Sequence, residues 1–276
     1  MLALTQYRFA TVSELFRYKQ EGFELPQFAG YTRDQWGIKA HNRPWIEEAG
    51  AFADGQRIIE VGGGYSSLPA YLTRKYGTET WVGDDFGESS GQADSWTRWG
   101  SPRDLPSIWS DVRYVFKPLG EFLPEYPDDY FDRVFSVSTL EHIAWEKIDA
   151  VLGDMHRILA PGGRELHSVD IGSTGYRRLL VDSMLERLSM GLGLNAFVHG
   201  RATPTWRWLQ AISRSGVDVS RVTAKSYPYL DSLLDKETLL ESYDVVFRFY
   251  PPNDSCKAYV PSASLLIVIE DVEEPI

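Results

Sequence analysis

The sequence predicts an α/β fold: a doubly wound, mainly parallel sheet with helices on both faces. Three observations predict it. From residue 57 onward, short apolar runs of strand length alternate with stretches of helical periodicity, the pattern of a parallel sheet with crossover helices. The first of those runs empties into a turn of three consecutive glycines, Gly62-Gly63-Gly64. The chain of 276 residues is 43% hydrophobic and 24% charged, enough apolar material for one sizeable core and typical of a globular protein.

Residues 1–52 read as an irregular, mostly helical lead-in. Thr11 and Glu14 have capping-box spacing ahead of Leu15, Phe16 and Tyr18. Gly22, Pro26 and Gly30 interrupt the chain, and Arg43–Ala49 forms a short helix with Pro44 in its first turn. Arg57–Val61 is then an apolar strand, and a helix runs from Ser67 to about Lys75. Thr80–Gly83 is a second strand closing in Asp84 and Asp85, followed by a turn-rich stretch with one helix near Trp96 and Trp99. Val112–Phe116 and Phe131–Val137 are further strands. A helix from about Trp145 to Leu159 places Ile148, Val151, Leu152, Met155 and Ile158 on one side. Pro161-Gly162-Gly163 stops it, and a strand follows through Leu166–Val169. Residues 171–215 depart from the alternation as a helical insertion through Leu179–Met190 and Trp206–Ile212. Ser264–Ile269 is the last strand. The expected organisation is a lead-in over 1–52 and a single domain over 53–276 that carries the insertion.

Composition narrows the function classes. A formal net charge of -11 opposes phosphate binding, so no nucleic-acid partner is expected, although Arg201, Arg207, Arg214 and Arg221 are close in sequence. The single cysteine, Cys256, allows neither an intramolecular disulfide nor a multi-cysteine metal site, and no His/Asp/Glu cluster has metal-ligand spacing. No apolar run approaches the roughly 20 residues of a membrane span, and the first residues lack a secretory pattern. A cytoplasmic protein with a small-molecule substrate, no metal and no membrane partner is expected; a homodimer remains open.

The chemistry-bearing signals lie between residues 60 and 170. Glycines at 62–64 let the backbone approach a ligand and aim helix N–H groups at it. The dinucleotide fingerprint would require glycine where Ser67 stands, which disfavours a nicotinamide or flavin cofactor. Asp85 ends its strand where a carboxylate can accept both hydroxyls of a ribose; Asp84 is the neighbouring alternative and should point the other way. Tyr65 and Phe86 are aromatic candidates beside the turn, with packing as their simpler role.

Phe131-Asp132-Arg133-Val134-Phe135-Ser136-Val137-Ser138-Thr139-Leu140-Glu141-His142-Ile143 resembles the fourth-strand motif of class I S-adenosylmethionine-dependent methyltransferases. His156-Arg157-Ile158-Leu159-Ala160-Pro161-Gly162-Gly163 is similar to the helix-to-strand turn of the same family, and with Glu60–Ser66 and Asp85 the likeness covers residues 57–170. The resemblance implies a Rossmann-like, seven-stranded sheet whose last strand is antiparallel, with S-adenosyl-L-methionine across the carboxyl ends of the first strands. It implies that Gly62, Gly63, Gly64 and Ser66 meet the methionine part, supported by Glu60. Asp85 would hold the ribose, with Phe86 beside it, and Val137, Ser138 and Thr139 would face the ammonium. The family's acidic residue near the adenine is replaced here by Lys117-Pro118-Leu119-Gly120-Glu121, so Leu119 and Gly120, or else Glu121, would meet the base.

The resemblance also implies methyl transfer, to oxygen or nitrogen of a small molecule such as a natural product or a sugar-containing intermediate. A hydroxyl acceptor must lose a proton, and His142, just past the fourth-strand motif, is the first candidate base. Asp170, at the site-facing end of the next strand, and His167, at its other end, follow; His41 and His199 are more remote. No Asn-Pro-Pro-Tyr-like motif follows the fourth strand, which disfavours methylation of adenine or glutamine amino groups, and Cys256 is far from every motif. Residues 1–52 and 171–215 would cover the substrate. Two rivals stand beside this reading: a relative that binds the cofactor without turnover, and a nicotinamide oxidoreductase.

Overall fold

The computed structural model describes residues 1–25, 39–89, 91, 93–97, 100–172, 205–220, 222 and 262–272. Seven strands form one sheet: β1 (Leu2–Phe9), β2 (Arg57–Val61), β3 (Glu79–Gly83), β4 (Val112–Val115), β5 (Phe131–Val137), β6 (Leu159–Gly172) and β7 (Ser262–Asp271). Their order is β1-β7-β6-β5-β2-β3-β4. Strands β2 to β6 pair in parallel, and β7 runs antiparallel between β6 and β1. The helices are α1 (Val12–Gln20), α2 (Lys39–Gly50), α3 (Leu68–Tyr76), α4 (Ala93–Thr97), α5 (Leu105–Ile108), α6 (Ile148–Ile158) and α7 (Thr205–Arg214).

The central strands carry buried apolar residues on both faces because both faces are covered. Ile58 faces one layer with Leu68 and Leu72 of α3, Trp45 and Ile46 of α2, and Leu166 and Leu266. Its neighbour Ile59 faces the other layer with Ile148, Val151, Leu152 and Met155 of α6 and Trp208 of α7. Two-residue alternation in the strands thus feeds two separate cores. On α6 the buried set Ile148, Val151, Leu152, Met155 and Ile158 follows helical spacing, each side chain contributing roughly 1.5–3 kcal/mol by burial. Chain direction reverses its progress across the sheet between β2 and β5, and α/β sheets bind ligands in the crevice at the carboxyl ends of such strands.

Several elements differ from the sequence expectation. The opening residues are not helical: Leu2–Phe9 is a strand paired along its length with Leu265–Asp271. A register shift between Leu4 and Gln6 breaks its alternation, and its partner stands more than 250 residues away, so no local pattern announces it. Helix α2 begins at Lys39, which puts Pro44 inside the helix rather than in its first turn. Helix α6 ends at Ile158, ahead of Pro161-Gly162-Gly163, and β6 starts at Leu159 and absorbs those three residues where the β5–β6 register shifts. Part of the expected insertion, Thr205–Arg214, packs beside α6 on a face of the sheet rather than over its carboxyl edge. Trp208 meets Trp145 edge to face at 5.4 Å, and Arg214 pairs with Asp149 at 2.8 Å. The amphipathic Leu179–Met190 lies outside the described residues, as do His199 and Cys256. The capping box of α1 forms as expected: the Thr11 amide donates to Glu14 Oε2 at 2.9 Å, and the Glu14 amide to Thr11 Oγ1 at 3.3 Å.

Candidate active site

The glycine turn after β2 is closed so tightly that only glycine fits its first position. Gly62 has φ +69°, and a Cβ there would collide with Thr139 Cγ2 and lie 2.7 Å from Thr139 Oγ1. Thr139 Oγ1 donates to the Gly62 carbonyl at 3.0 Å, tying the turn after β5 to the turn after β2 across the crevice. At Gly63 a Cβ would come within 2.9 Å of Val82 Cγ1 and 3.3 Å of Glu60 Oε2, which places the buried Glu60 carboxyl directly under the turn. The Ser66 amide donates to the Gly63 carbonyl at 2.9 Å, and Ser66 Oγ accepts from the Leu68 amide at 3.2 Å, leading the turn into α3.

The two aspartates ending β3 divide their work. Asp84 staples the site, accepting from the Gly64 amide at 2.8 Å and the Phe86 amide at 2.7 Å. Burial pushes its carboxyl up to about 6. Asp85 accepts from the Gly87 amide at 3.1 Å and the Ser89 amide at 2.8 Å. Burial raises its pKa, but the hydrogen bonds from Ser89 and Gly87 outweigh it and hold Asp85 below its ordinary value. Phe86 is buried at φ +50°, edge-on to Tyr65 at 5.7 Å, and Tyr65 OH donates to the Gly100 carbonyl at 2.7 Å. Leu119 and Gly120 form the wall between this corner and α6. Leu119 is buried, the Gly120 amide donates to Asp154 at 2.7 Å, and a Cβ on Gly120 would press on Val151.

At the end of β5, Val137 is buried and Ser138 adopts φ +51°, an uncommon conformation for serine. Ser138 Oγ donates to Asp170 Oδ1 at 3.0 Å, joining the ends of β5 and β6. Asn42 of α2 reaches the same pair, 3.2 Å from Asp170 Oδ1 and 3.3 Å from Ser138 Oγ. A 3₁₀ turn, Leu140–His142, follows. On it the Glu141 side chain is 2% exposed and the His142 side chain 56% exposed, with His142 Nε2 at 3.9 Å from Glu141 Oε1. Burial first, and the charge of Asp170 second, push the Glu141 carboxyl well above its ordinary value. Lys39 is pulled down by burial and by Arg43, and it feels the charges of Asp170, Glu141 and Glu60.

The structure therefore brings Glu60, Gly62, Gly63, Gly64, Ser66, Asp85, Ser138, Thr139, Asp170 and the turn of His142 to one edge of the sheet. His167 belongs elsewhere. Its Nδ1 is 2.9 Å from Ser136 Oγ and its Nε2 3.3 Å from Glu165 Oε2, both buried contacts, in a network that continues through His156 to the half-buried Ser215. His41 is buried with Nε2 3.4 Å from Glu14 Oε2. Sequence reasoning missed Lys39, Asn42 and Arg43, which α2 carries in from far upstream. It passed over Glu141, although that residue stands inside the quoted motif. The one available signal was a carboxylate at the end of an apolar strand. Among the described residues, no group of three or more metal-ligating side chains converges, and no helix is long and apolar enough to cross a membrane.

Residues 59–166 match the family described as a methyltransferase domain. A fatty-acid O-methyltransferase of Mycolicibacterium smegmatis is 30% identical over 146 residues, 51% of this chain and 48% of that protein. The chain thus spans about half the length of that relative. Among solved structures, phosphoethanolamine N-methyltransferase 2 of Haemonchus contortus in complex with S-adenosyl-L-methionine superposes with a TM-score of 0.52 at 17% identity, covering 94% of this chain and 57% of that one. The same enzyme with phosphomonomethylethanolamine and S-adenosylhomocysteine gives 0.50 at 16% identity over the same shares. Those likenesses bear on the fold, and the fold agrees with the matched segment. The glycine turn, the sheet order and the antiparallel last strand agree with that match to a methyltransferase domain over residues 59–166.

Proposed function

We propose that this chain transfers a methyl group from S-adenosyl-L-methionine to an oxygen or nitrogen atom of a small molecule. The observation that carries the reading is the closed glycine turn at the β2–β5 crevice, locked by Thr139 and flanked by Asp85. In this reading Glu60, Gly62, Gly63, Gly64 and Ser66 shape the seat for the methionine part, with Val137, Ser138 and Thr139 opposite. Asp85 takes the ribose hydroxyls, and Phe86, Leu119 and Gly120 wall the adenine. The cofactor supplies a methyl group that is already activated. The chain's own task is to align an acceptor, exclude water and, where needed, accept a proton.

His142 is the exposed titratable group on the turn beside this seat, and in our reading it deprotonates a hydroxyl or ammonium acceptor. Asp170, pinned by Ser138 and Asn42, shapes the same edge. The relative named as a fatty-acid O-methyltransferase supports oxygen as the accepting atom. A carboxylate acceptor would need no base, because it is already ionised at neutral pH.

Calorimetry with S-adenosylmethionine, S-adenosylhomocysteine and NAD in parallel tests the cofactor. Both adenosyl compounds should bind and NAD should not; binding of NAD alone overturns the reading. A panel of hydroxyl, amine and carboxylate acceptors assayed with labelled cofactor then tests the chemistry. His142→Ala should lower turnover of a hydroxyl acceptor by about 10²–10⁴ and leave a carboxylate acceptor nearly unaffected, with cofactor affinity retained. Equal turnover of a hydroxyl acceptor by wild type and variant removes His142 from the mechanism. Binding without turnover of any acceptor class points to a cofactor-binding relative.

A further inference from the structure

The last turn of α6, the interior of β6 and the end of α7 meet at His156, where the partners fix the direction of each hydrogen bond. The His156 side chain is 9% exposed and the Glu165 side chain 0%. Nδ1 lies 2.7 Å from Glu165 Oε1, and Nε2 lies 2.9 Å from Ser215 Oγ. Ser215 has one hydroxyl hydrogen and donates it to the Ile212 carbonyl at 2.7 Å. Toward His156 its oxygen therefore accepts, so Nε2 carries a hydrogen. The Glu165 carboxylate only accepts, so Nδ1 carries one as well, and a ring donating from both nitrogens is an imidazolium. Among the described residues, the other group bonded to Glu165 is His167, whose Nδ1 can accept from Ser136 Oγ. His156 thus supplies the counter-charge that a buried carboxylate needs.

The order Ser215–His156–Glu165 is that of a hydrolytic triad, but the hydrogens point the wrong way for one. The serine hydrogen faces Ile212 rather than the base. The amides of Ser215 and Gly216 are spent on the Ala211 and Ser213 carbonyls, so neither is left for an oxyanion.

We propose that protonated His156 is a clamp that holds the strap Thr205–Asp218 against α6 and β6, and that loss of its proton as pH rises releases the strap. The far end of the strap lies on the edge strand: the Leu4 amide donates to the Asp218 carbonyl and the Asp218 amide to the Leu2 carbonyl, both at 2.9 Å. His156 stands in the last turn of α6 and touches the residue that follows α7, so the dipoles of both helices favour a positive charge there. A neutral ring keeps one hydrogen. If that hydrogen stays on Nδ1 beside Glu165, Ser215 must turn its hydroxyl to Nε2 and abandon Ile212; if it moves to Nε2, the bond to Glu165 is lost.

The sign follows from the groups around the ring. Burial pulls the imidazole down, and the charge and hydrogen bond of Glu165 outweigh it and raise the pKa. On α6, Arg157 pairs with Asp154, and Asp149 pairs with Arg214 of the strap at 2.8 Å. His167 on β6, Tyr7 on β1 and Asp218 complete the titratable set on the packed elements. The clamp is therefore fully closed below the ordinary histidine value of about 6.5 and opens as pH climbs through the raised value.

Nitrogen-15 NMR of the imidazole rings counts the protons. At about pH 7 both His156 nitrogens should carry hydrogen, and a bare nitrogen at that pH overturns the proposal. Hydrogen exchange, normalised for the intrinsic rate, follows the strap. Between about pH 6 and pH 9 the Leu209–Asp218 amides should lose protection by up to about tenfold per unit once His156 titrates. They should also exchange faster than the amides of β2, which marks local release rather than global unfolding. A strap that opens only with the whole domain, or whose protection ignores the titration, overturns the proposal. Ser215→Ala leaves the His156–Glu165 pair in place and should lower strap protection about 10- to 100-fold at pH 7; equal protection in wild type and variant overturns the clamp. His156→Gln should show strap protection that no longer depends on this titration. If that variant does not fold, the wild-type spectra and exchange profile decide the question.

Discussion

Replacing Gly62 by alanine tests the central claim about the glycine turn, that one position is excluded to any side chain for two separable reasons. The first is backbone conformation. At φ +69° an L-residue pays roughly 1–2 kcal/mol relative to its preferred regions. The second is Thr139, whose methyl occupies the space of the new Cβ and must rotate away. Rotation breaks the 3.0 Å bond from Thr139 Oγ1 to the Gly62 carbonyl, a loss of about 0.5–1.5 kcal/mol. Together these come to about 1.5–3.5 kcal/mol, or a fall in melting temperature of roughly 3–14 °C for a domain of this size. Gly55 provides the control. It has a similar φ of +74°, but a Cβ there meets nothing within 4 Å, so Gly55→Ala should show the backbone part alone. Urea unfolding of both variants at constant slope separates the two contributions. Adding Thr139→Ser to Gly62→Ala should recover part of the difference, because it removes the methyl and keeps the hydroxyl. S-adenosylhomocysteine should bind Gly62→Ala at least about tenfold more weakly, since the seat itself is displaced. If Gly62→Ala is no worse than Gly55→Ala and binds the ligand normally, the turn is not closed by Thr139 and the site has been misread.

Two further outcomes follow from the same geometry. Asp85→Ala should weaken S-adenosylhomocysteine by about 1–3 kcal/mol and lower stability less than Asp84→Ala does, because the amides Asp85 releases, Gly87 and Ser89, are nearer to solvent than the Gly64 and Phe86 amides held by the more buried Asp84; unchanged affinity in Asp85→Ala relocates the ribose contact. The His156–Glu165–His167 network gives a pH dependence. Burial pushes Glu165 up, but His156 and His167 outweigh it and hold the carboxyl down to about 2, so its contribution is present above the ordinary carboxylate range and lost as pH falls toward that value. Burial pulls His156 down, but the Glu165 charge outweighs it and raises the imidazole, so its contribution is present at low pH and is lost as pH climbs through the raised value. The stabilisation contributed by the network should therefore be greatest in mildly acidic solution. Glu165→Gln should flatten that part of the profile, and an unchanged urea midpoint profile would count against the ion pair.

The sequence by itself determined the central strands, the glycine turn, the acidic end of β3 and the apolar face of α6. Each is written in neighbouring residues: Ile58-Ile59 and Val61 in β2 and Phe131, Val134, Phe135 and Val137 in β5 mark short apolar-rich runs, and the buried residues of Ile148–Ile158 repeat at helical spacing. Gly62-Gly63-Gly64 is legible because few residues tolerate such a backbone. Only tertiary structure decided which residues of different segments meet. Strand β1 looks like an irregular leader until Leu265–Asp271 supplies its hydrogen bonds, and Lys39, Asn42 and Arg43 have no local signature of a site. His167 and Asp170 are three residues apart on one strand, yet one is sealed among Ser136 and Glu165 while the other reaches Ser138 and Asn42 at the crevice. Glu141 and His142 are adjacent in the motif, and the 3₁₀ turn buries the first and exposes the second. Periodicity specifies which face of an element is apolar. It carries no information about the distant chain that will cover that face, and burial, which sets the charge state of a carboxyl, is a property of that covering.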